Sequence, residues 1–468
     1  MIAKIAQKEM KELLREGRFR VAALITVALL LMATFISRSY YVSVNEQHRQ
    51  AAQNERNVWV SQDTKNPHSA AHYGTYAFKP KYPLALIDQG VDKYAGISIF
   101  LEAHARHDAQ YAAAQDQTGL TRFGDLTPDF ILMFIIPLLI VLLGFNAFTR
   151  EREQGTLALL KSQGVAPGAL AMGKWLGAYV PVALITAGAF AVAALLLANL
   201  SDFGQFSFGA LLLMLLIYLV YYAIFTGLTL AVSAWSRNSG VALVLMLAVW
   251  IVSCLGMPKV ASNLADTLYP FPSRQDFAMA ISEDKKSGLD GHNPWSDEAK
   301  ELERQVLAEY GVDSVQQLPF NFDGYLMQKG EEHEAEIYFK HYNLLKEQFA
   351  NQSRVYRLSA LLSPFLPARL LSMTIARTDY ETHWDFADAA EKYRLDMMNA
   401  LNMDLAENSE YGNWAYKADP ALWAEVPQFS YEPRPYGEVL QQNLSNILLL
   451  LGWLGLSFLM LMIAARKL

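Results

Sequence analysis

The sequence predicts an all-α membrane protein with six transmembrane helices, an N-terminal amphipathic surface helix and a mainly helical periplasmic domain. Of its 468 residues 53% are hydrophobic, yet 18% are charged, a combination that arises when apolar runs alternate with soluble segments. Six apolar runs approach or exceed the roughly 20 helical residues that a bilayer core requires. The predicted spans are 21–37, 129–148, 175–200, 209–235, 241–257 and 443–464.

The distribution of Lys and Arg predicts the orientation of these spans. With a cytosolic N-terminus, the inner segments hold 13 Lys and Arg in 57 residues, against 26 in roughly 285 residues outside. By the positive-inside rule, we expect both termini of this multi-pass protein to be cytosolic and segments 38–128 and 258–440 to lie on the opposite, periplasmic side. An acidic excess on the outer side argues against nucleic acid as a partner. The inner segments are 1–20, 149–174, 234–240 and 465–468.

Residues 1–20 are predicted to form a basic amphipathic helix that lies along the inner membrane surface. Apolar side chains recur at helical spacing, from Ile2 to Leu14, among lysines. A secretory signal peptide is the competing interpretation. Glu9, Glu12 and Glu16 in the leading segment and the lack of a small-residue cleavage site favour an uncleaved first span instead.

The periodicity of the two outer segments predicts mostly helices. In the first, helices are expected over 47–59 and 91–113. The apolar stretch Leu361–Ile375, in the second outer segment, could either rest on the outer leaflet of the membrane or be buried in the domain. In the second outer segment, the expected helices are 296–310, 331–361 and 384–405.

The sequence lacks the motifs of several enzyme classes. It contains no Gly-x-x-x-x-Gly-Lys-Ser/Thr loop, no Gly-x-Ser-x-Gly elbow and no His-Glu-x-x-His helix. We therefore predict no catalytic residues and no cofactor, with energy supplied by another subunit. The only cysteine, Cys254, lies within the fifth span, so no intrachain disulfide is possible and a small buried hydrophobe is the favoured interpretation.

Three histidine groupings raise the question of metal binding. They are His68 with His72, His104 with His107, and His383 beside acidic residues. Spacings of three or four residues place two imidazoles on one helix face, which suits zinc or copper, but a metal site needs further ligands. Because none is evident in sequence, a solvated surface is favoured and no metal site is predicted. His383 is better explained by a helix that begins at Thr378-Asp379 or Thr382.

Between the second and third predicted spans lies a charged loop, 149–174. A turn needs only a few residues, whereas this loop has about 25 and contains two helical pieces separated by Gly and Pro. Exposed carboxylate and guanidinium groups on such a loop suit docking into a groove of a soluble partner. The loop is therefore the predicted entry point for force from a separate motor protein.

The same loop carries a recognisable pattern. An acidic pair precedes Gly-Thr-Leu, a short helix follows, and Gly-Lys leads into the third span. The residues that carry this pattern are Glu151-Arg152-Glu153-Gln154-Gly155-Thr156-Leu157, then Leu160, Gly164–Pro167 and Gly173-Lys174. This pattern resembles the coupling-helix signature of ABC-2 type permeases. The surface helix, the six spans and the two cytosolic ends fit the same family.

The resemblance implies the transmembrane permease subunit of an ATP-binding cassette transporter. Such a subunit couples ATP hydrolysis by a separate ATPase subunit to substrate movement across the inner membrane, as a dimer with an identical or homologous second permease in the lipid bilayer. Glu151 and Glu153 would be the docking contacts. The full set of implied ATPase-docking residues is Arg150, Glu151, Arg152, Glu153, Gly155, Thr156, Leu157 and Leu160.

The large outer segments resemble a subgroup with periplasmic insertions after the first and fifth spans. That subgroup is similar in layout to permeases of gliding-motility and nitrous-oxide-reductase maturation systems. An alternative is an ATP-driven mechanotransmission complex that acts on a periplasmic partner protein without transmembrane cargo. A sensor protein is disfavoured because only about 57 residues would lie inside, too few for an output module.

Overall fold

In the computed structural model, which describes residues 1–112, 126–200 and 206–468, the chain is 74% helical and 3% strand. This confirms the predicted all-α membrane fold. Six helical stretches of the described residues are long and apolar enough to cross a membrane. Four of them are single helices, namely α2 (Gly17–Val60), α8 (Pro167–Ala198), α9 (Phe208–Trp235) and α19 (Leu444–Arg466). The second stretch, Pro128–Glu153, comprises α4 (Pro128–Phe130), a π-helical segment (Ile131–Ile135), α5 (Ile136–Gly144) and α6 (Thr149–Glu153). The fifth, Ser239–Leu268, comprises α10 (Ser239–Trp250), a π-helical segment (Ile251–Gly256) and α11 (Met257–Leu268).

The first and fifth membrane helices extend well beyond the apolar segments predicted for them. Helix α2 has 44 residues and continues without a break through the helix expected over 47–59, because neither Gly nor Pro occurs between Arg18 and Val60. A short amphipathic helix, α1 (Ile2–Arg15), precedes it. Part of the connection between α8 and α9, residues 201–205, lies outside the described residues.

Pro137 interrupts the second membrane helix, and neighbouring side chains satisfy the backbone groups that it frees. Pro137 begins α5 immediately after a π-helical segment, and it cannot donate to the carbonyl of Met133. The hydroxyl of Tyr221, on the buried helix α9, donates to that carbonyl at 3.1 Å, and Tyr222 donates to the preceding carbonyl at 2.9 Å. Such compensation is what allows Pro within a membrane helix.

The two predicted outer segments together form a domain that we call the outer domain, and helices of the second segment make up most of it. Ser296 and Asp379 cap two of them by accepting backbone hydrogen bonds, as the sequence indicated. The helices are α3 (Pro67–Tyr73), α12 (Arg274–Lys286), α13 (Asp297–Tyr310), α14 (Phe322–Ser359), α15 (Phe365–Ala376), α16 (Tyr380–Asn408), α17 (Ala421–Glu425) and α18 (Tyr436–Gln442), with 3-10 turns at Pro83–Leu86 and Val315–Gln317.

The helix expected over 91–113 is wrong for the described part of that range, which ends at 112. This range contains β2 (Ser98–Glu102) and β3 (Ala105–Arg106). Together with β1 (Thr75–Phe78) they form a three-stranded antiparallel sheet in the order β1-β2-β3. From Ile99 to Glu102 of β2, buried and partly exposed residues alternate, which is the period of a strand. Ala113 lies outside the described residues.

Helix α15 joins the outer domain to the membrane helices. Its apolar residues lie in the same buried cluster as α9, so the part of the stretch from Ser363 to Ile375 is mainly buried in the core, whereas Leu361 and Leu362 are exposed. Arg369 of α15 pairs with Asp88 at 2.9 Å and with Asp129, at the start of the second membrane helix, at 2.7 Å. The two outer segments and the bundle therefore meet in one core.

Candidate functional site

The charged loop between the second and third membrane helices forms two short helices, α6 and α7 (Thr156–Ser162). Gly155 links them with a φ of +75°, a left-handed conformation that costs a residue with a Cβ roughly 1 kcal/mol or more. Gly164, also at +75°, ends α7 before α8 begins. We call residues 149–166 the motif loop and the end of the bundle that carries it the motif end.

Apolar side chains fix α7 to the motif end of the bundle. Leu157 is buried and Leu160 is partly buried. Both belong to a cluster that contains Phe148 and residues from the ends of α8, α9 and α19. One face of α7 therefore belongs to an apolar cluster that it shares with three membrane helices.

A buried cation organises the inner face of α6. The Lys174 ammonium, 2% exposed, lies 2.8 Å from Glu151 Oε1 and 2.9 Å from Glu9 Oε1 of α1. Lys8 adds a second cation 3.5 Å from Glu151. Burial by itself would raise the pKa of Glu9, but Lys174 and Lys8 outweigh it and hold that pKa below its usual range. Glu151 therefore faces into the chain, within a network that joins α1, α6 and α8.

Two glycines explain how α1 comes so close to α8. A Cβ on Gly173 would lie 2.6 Å from Ile5 Cβ, and one on Gly177 would lie 2.4 Å from Glu9 Cβ. Small residues four apart let helix backbones approach closely in this way. The Gly-Lys pair of the sequence pattern thus has a structural reason, since Gly173 admits α1 and Lys174 binds its carboxylate.

Arg152 and Glu153, which follow Glu151 in α6, contact the ends of two further membrane helices. Arg152 donates to the carbonyls of Ala234, at 2.9 Å, and Ser236, where α9 ends. Glu153 accepts from the backbone N–H of Ser239 at 2.7 Å and from its hydroxyl at 3.0 Å, where α10 begins. A cation at a helix C-terminus and an anion at an N-terminus both complement the helix dipole.

The outward face of the motif loop is exposed. Leu159 is 58% exposed, and Arg150, Thr156 and Lys161 are also classed as exposed. A groove of about 660 Å³ separates α1 from α6 and α7, with charged side chains along it. An apolar residue flanked by polar ones on a short rigid helix suits contact with a protein partner.

Comparison with known families gives two matches. A profile of the family described as ABC-2 family transporter protein matches residues 20–271, more than half of the chain and including the motif loop. The chain belongs to the ABC-2 transporter family. A second profile, a domain of unknown function (DUF3526), matches residues 274–432. A search of curated proteins gave no match.

In this ABC-2 protein the eight implied docking residues occupy different positions. Arg150, Glu153, Gly155 and Thr156 are exposed, Arg152 and Leu160 are partly buried, and Glu151 and Leu157 are buried. Sequence reasoning missed Glu9 and Lys8, which join the network of Glu151. The signal for them was the run of charges on α1 facing the Gly173-Lys174 pair, but which charges meet depends on how α1 crosses α8.

The structure places a further histidine beside two of the histidine groupings, which the sequence did not indicate. His68, His72 and His104 lie together with His292, from the second outer segment, in the outer domain of this ABC-2 protein. His107 is instead 2.6 Å from Glu102. The ring of His383 lies near the start of α16, where burial lowers its pKa to about 4.

Proposed function

We propose that this chain is the transmembrane permease subunit of an ATP-binding cassette transporter, driven by a separate ATPase subunit that docks on the motif loop. One observation carries the proposal. Over three consecutive residues, α6 contacts Lys174 of α8, the end of α9 and the start of α10. A force applied at this loop therefore reaches three membrane helices at once, and α1 through Lys174.

The residues of the motif loop divide into two roles. The exposed face of α7 and the adjacent Arg150 would contact the ATPase, with Leu159 as the apolar anchor. Glu151, Arg152 and Glu153, whose side chains are engaged within the chain, would transmit the displacement. This assignment moves the docking contact away from Glu151 and Glu153, where the sequence alone had placed it.

The route from the motif loop to the outer domain runs through the fifth membrane stretch. Ser239–Leu268 has 30 residues and spans ~45 Å at 1.5 Å per residue. At its far end, Gln352 of α14 donates to the carbonyl of Tyr269 at 2.8 Å and to Asp266 at 3.2 Å. A shift of Glu153 at one end would thus tilt α10 and α11 and move α14 at the other.

The remaining parts of the proposal come from the sequence and the family resemblance. The excess of Lys and Arg near the motif end supports a cytosolic location for it, in the inner membrane, with the outer domain in the periplasm. A second permease, identical or homologous, would complete the transport path. ATP hydrolysis would take place on the partner subunit, so this chain needs neither a catalytic residue nor a cofactor of its own.

The test uses the permease reconstituted in nanodiscs with its ATPase subunit. We expect Leu159→Glu to abolish association, measured by copurification. Glu153→Ala should leave association intact while permease-stimulated ATP hydrolysis falls about five-fold, since a lost helix-terminal contact is worth about 1 kcal/mol.

The matched control is Leu344→Glu, an equally drastic change at an exposed leucine (53%) of α14 in the outer domain, which should affect neither measurement. Retention of the ATPase by Leu159→Glu would refute the docking surface. Unchanged stimulation in Glu153→Ala would refute the transmission role.

A further inference from the structure

Four histidines converge on the surface of the outer domain. They come from three elements: His68 and His72 from one face of α3, His104 from the turn between β2 and β3, and His292 from the connection between α12 and α13. One ring nitrogen of each lies within 4.8 Å of those of the other three. Two of the rings are exposed and two are partly buried, so the cluster is open to solvent.

The distances between ring nitrogens are close to those of a tetrahedral metal site. His68 Nε2 lies 3.0 Å from His72 Nε2 and 2.9 Å from His292 Nε2. Four nitrogens that each bind zinc at about 2.0–2.1 Å are about 3.4 Å apart. A small outward movement of exposed side chains would therefore make room for an ion at the centre.

Hydrogen bonding among the rings does not account for this arrangement. The single Nε2 of His68 faces two other Nε2 atoms, and a neutral imidazole nitrogen either donates one proton or offers one lone pair. Only one of the two contacts can therefore be a good hydrogen bond. A cation that accepts a lone pair from every ring removes the conflict.

His104 is held in the form that a metal ligand requires. Its Nδ1 lies 2.7 Å from Glu331 Oε1, and its Nε2 is buried with no hydrogen-bond partner among the described residues. Its backbone has a φ of +64°, which is uncommon for a residue with a Cβ, and its N–H also donates to Glu331. Arg394 in turn fixes Glu331 at 2.9 Å. A histidine that binds a metal usually donates the N–H of its other ring nitrogen to a carboxylate or carbonyl, as Nδ1 of His104 can do here while Nε2 stays free for the metal.

We propose that His68, His72, His104 and His292 bind one divalent transition-metal ion, with Zn²⁺ as the best fit. Four imidazoles without carboxylate or thiolate favour Zn²⁺ or Cu²⁺ over Mg²⁺ and Ca²⁺, which prefer oxygen ligands. The ion would join the two outer segments, because three ligands belong to the first and His292 belongs to the second. Its binding would restrain the α12–α13 connection relative to α3.

The test is metal binding to the full-length protein, purified in detergent without a polyhistidine tag and stripped with a chelator. Zinc is titrated calorimetrically, Co²⁺ serves as the spectroscopic probe of tetrahedral nitrogen ligands, and Cu²⁺ and Mg²⁺ form separate arms. The variant is His72→Ala/His292→Ala, which removes the two exposed ligands. The control, His107→Ala/His341→Ala, removes two imidazoles outside the cluster.

We expect one zinc per chain in the wild type and the control, and at least about 100-fold weaker binding in the variant, since even the loss of a residue that only orients a metal ligand costs about 10–100-fold. Zinc should also slow amide exchange in the α12–α13 connection of the wild type but not of the variant. Equal binding by wild type and variant, or equal loss in the control, would overturn the proposal. Tighter binding of Cu²⁺ than Zn²⁺ at the same stoichiometry supports the site and follows the usual affinity order, whereas competition by Mg²⁺ would contradict it.

Discussion

Replacing Lys174 tests whether the buried ion network holds α1 against the bundle. Lys174→Met leaves Glu9 and Glu151, with side chains 18% and 11% exposed, without the cation that lies within 3 Å of both. Breaking a buried ion pair on one side costs about 3–5 kcal/mol. Because Lys8 remains near Glu151 and both carboxylates keep some solvent contact, we take the lower end, about 3 kcal/mol.

Hydrogen–deuterium exchange measures this loss where it should occur. If α1 detaches more easily by about 3 kcal/mol, its amides should exchange about 150-fold faster, at ten-fold per 1.4 kcal/mol. Lys161→Met, which removes an exposed lysine of the same loop, should leave α1 exchange unchanged. Unaltered α1 exchange in Lys174→Met, or equal acceleration throughout α14, would show that the network does not fasten α1.

Three further predictions follow. Gly177→Val should detach α1 as well, because its Cβ would lie 2.4 Å from Glu9 Cβ. Gly188→Val on the same helix should not, because the added Cβ would meet no described atom within 4 Å beyond the backbone of its own helix. Similar α1 exchange in the two variants would contradict this prediction. Gly155→Ala, at a φ of +75°, should cost about 1 kcal/mol and speed exchange in α7 about five-fold; unchanged α7 exchange would refute it. Burial raises the pKa of Asp88 to about 6, although the nearby Arg369 lowers it. In the unfolded state the pKa of an Asp carboxyl is about 4, so the folded state binds the Asp88 proton more tightly. The contribution to stability is present below pH 4 and lost as pH rises through 6; Asp88→Asn should remove it, measured as the difference in melting temperature between pH 4 and 7, and an identical pH dependence in the variant would contradict this.

The sequence was a good guide to the membrane helices and to the motif loop, because both depend on local patterns. An apolar run of sufficient length has few alternatives to a spanning helix, and Gly155 and Gly164 mark the ends of α7 by their backbone freedom alone. The small sheet was missed because β2 has only five residues, too few for alternation to stand out from helical periodicity.

Contacts between distant segments could not be read from the sequence. His292 joins three histidines of the first outer segment only because the α12–α13 connection folds over α3, and no local pattern marks it as a ligand. Likewise, Glu151 looked like an exposed docking residue within its own segment. Its burial depends on α1 and Lys174, which meet it through tertiary packing.

Site-specific photo-crosslinking tests most directly the claim that the ATPase docks on α7. A photoreactive amino acid is placed at Leu159, and at Leu344 of α14 as a similarly exposed control in the outer domain, in membranes that contain the ATPase subunit. We expect a crosslink to the ATPase from position 159 and none from position 344. The absence of a crosslink at 159 while the two subunits copurify, or equal crosslinking at both positions, would contradict the proposed docking site.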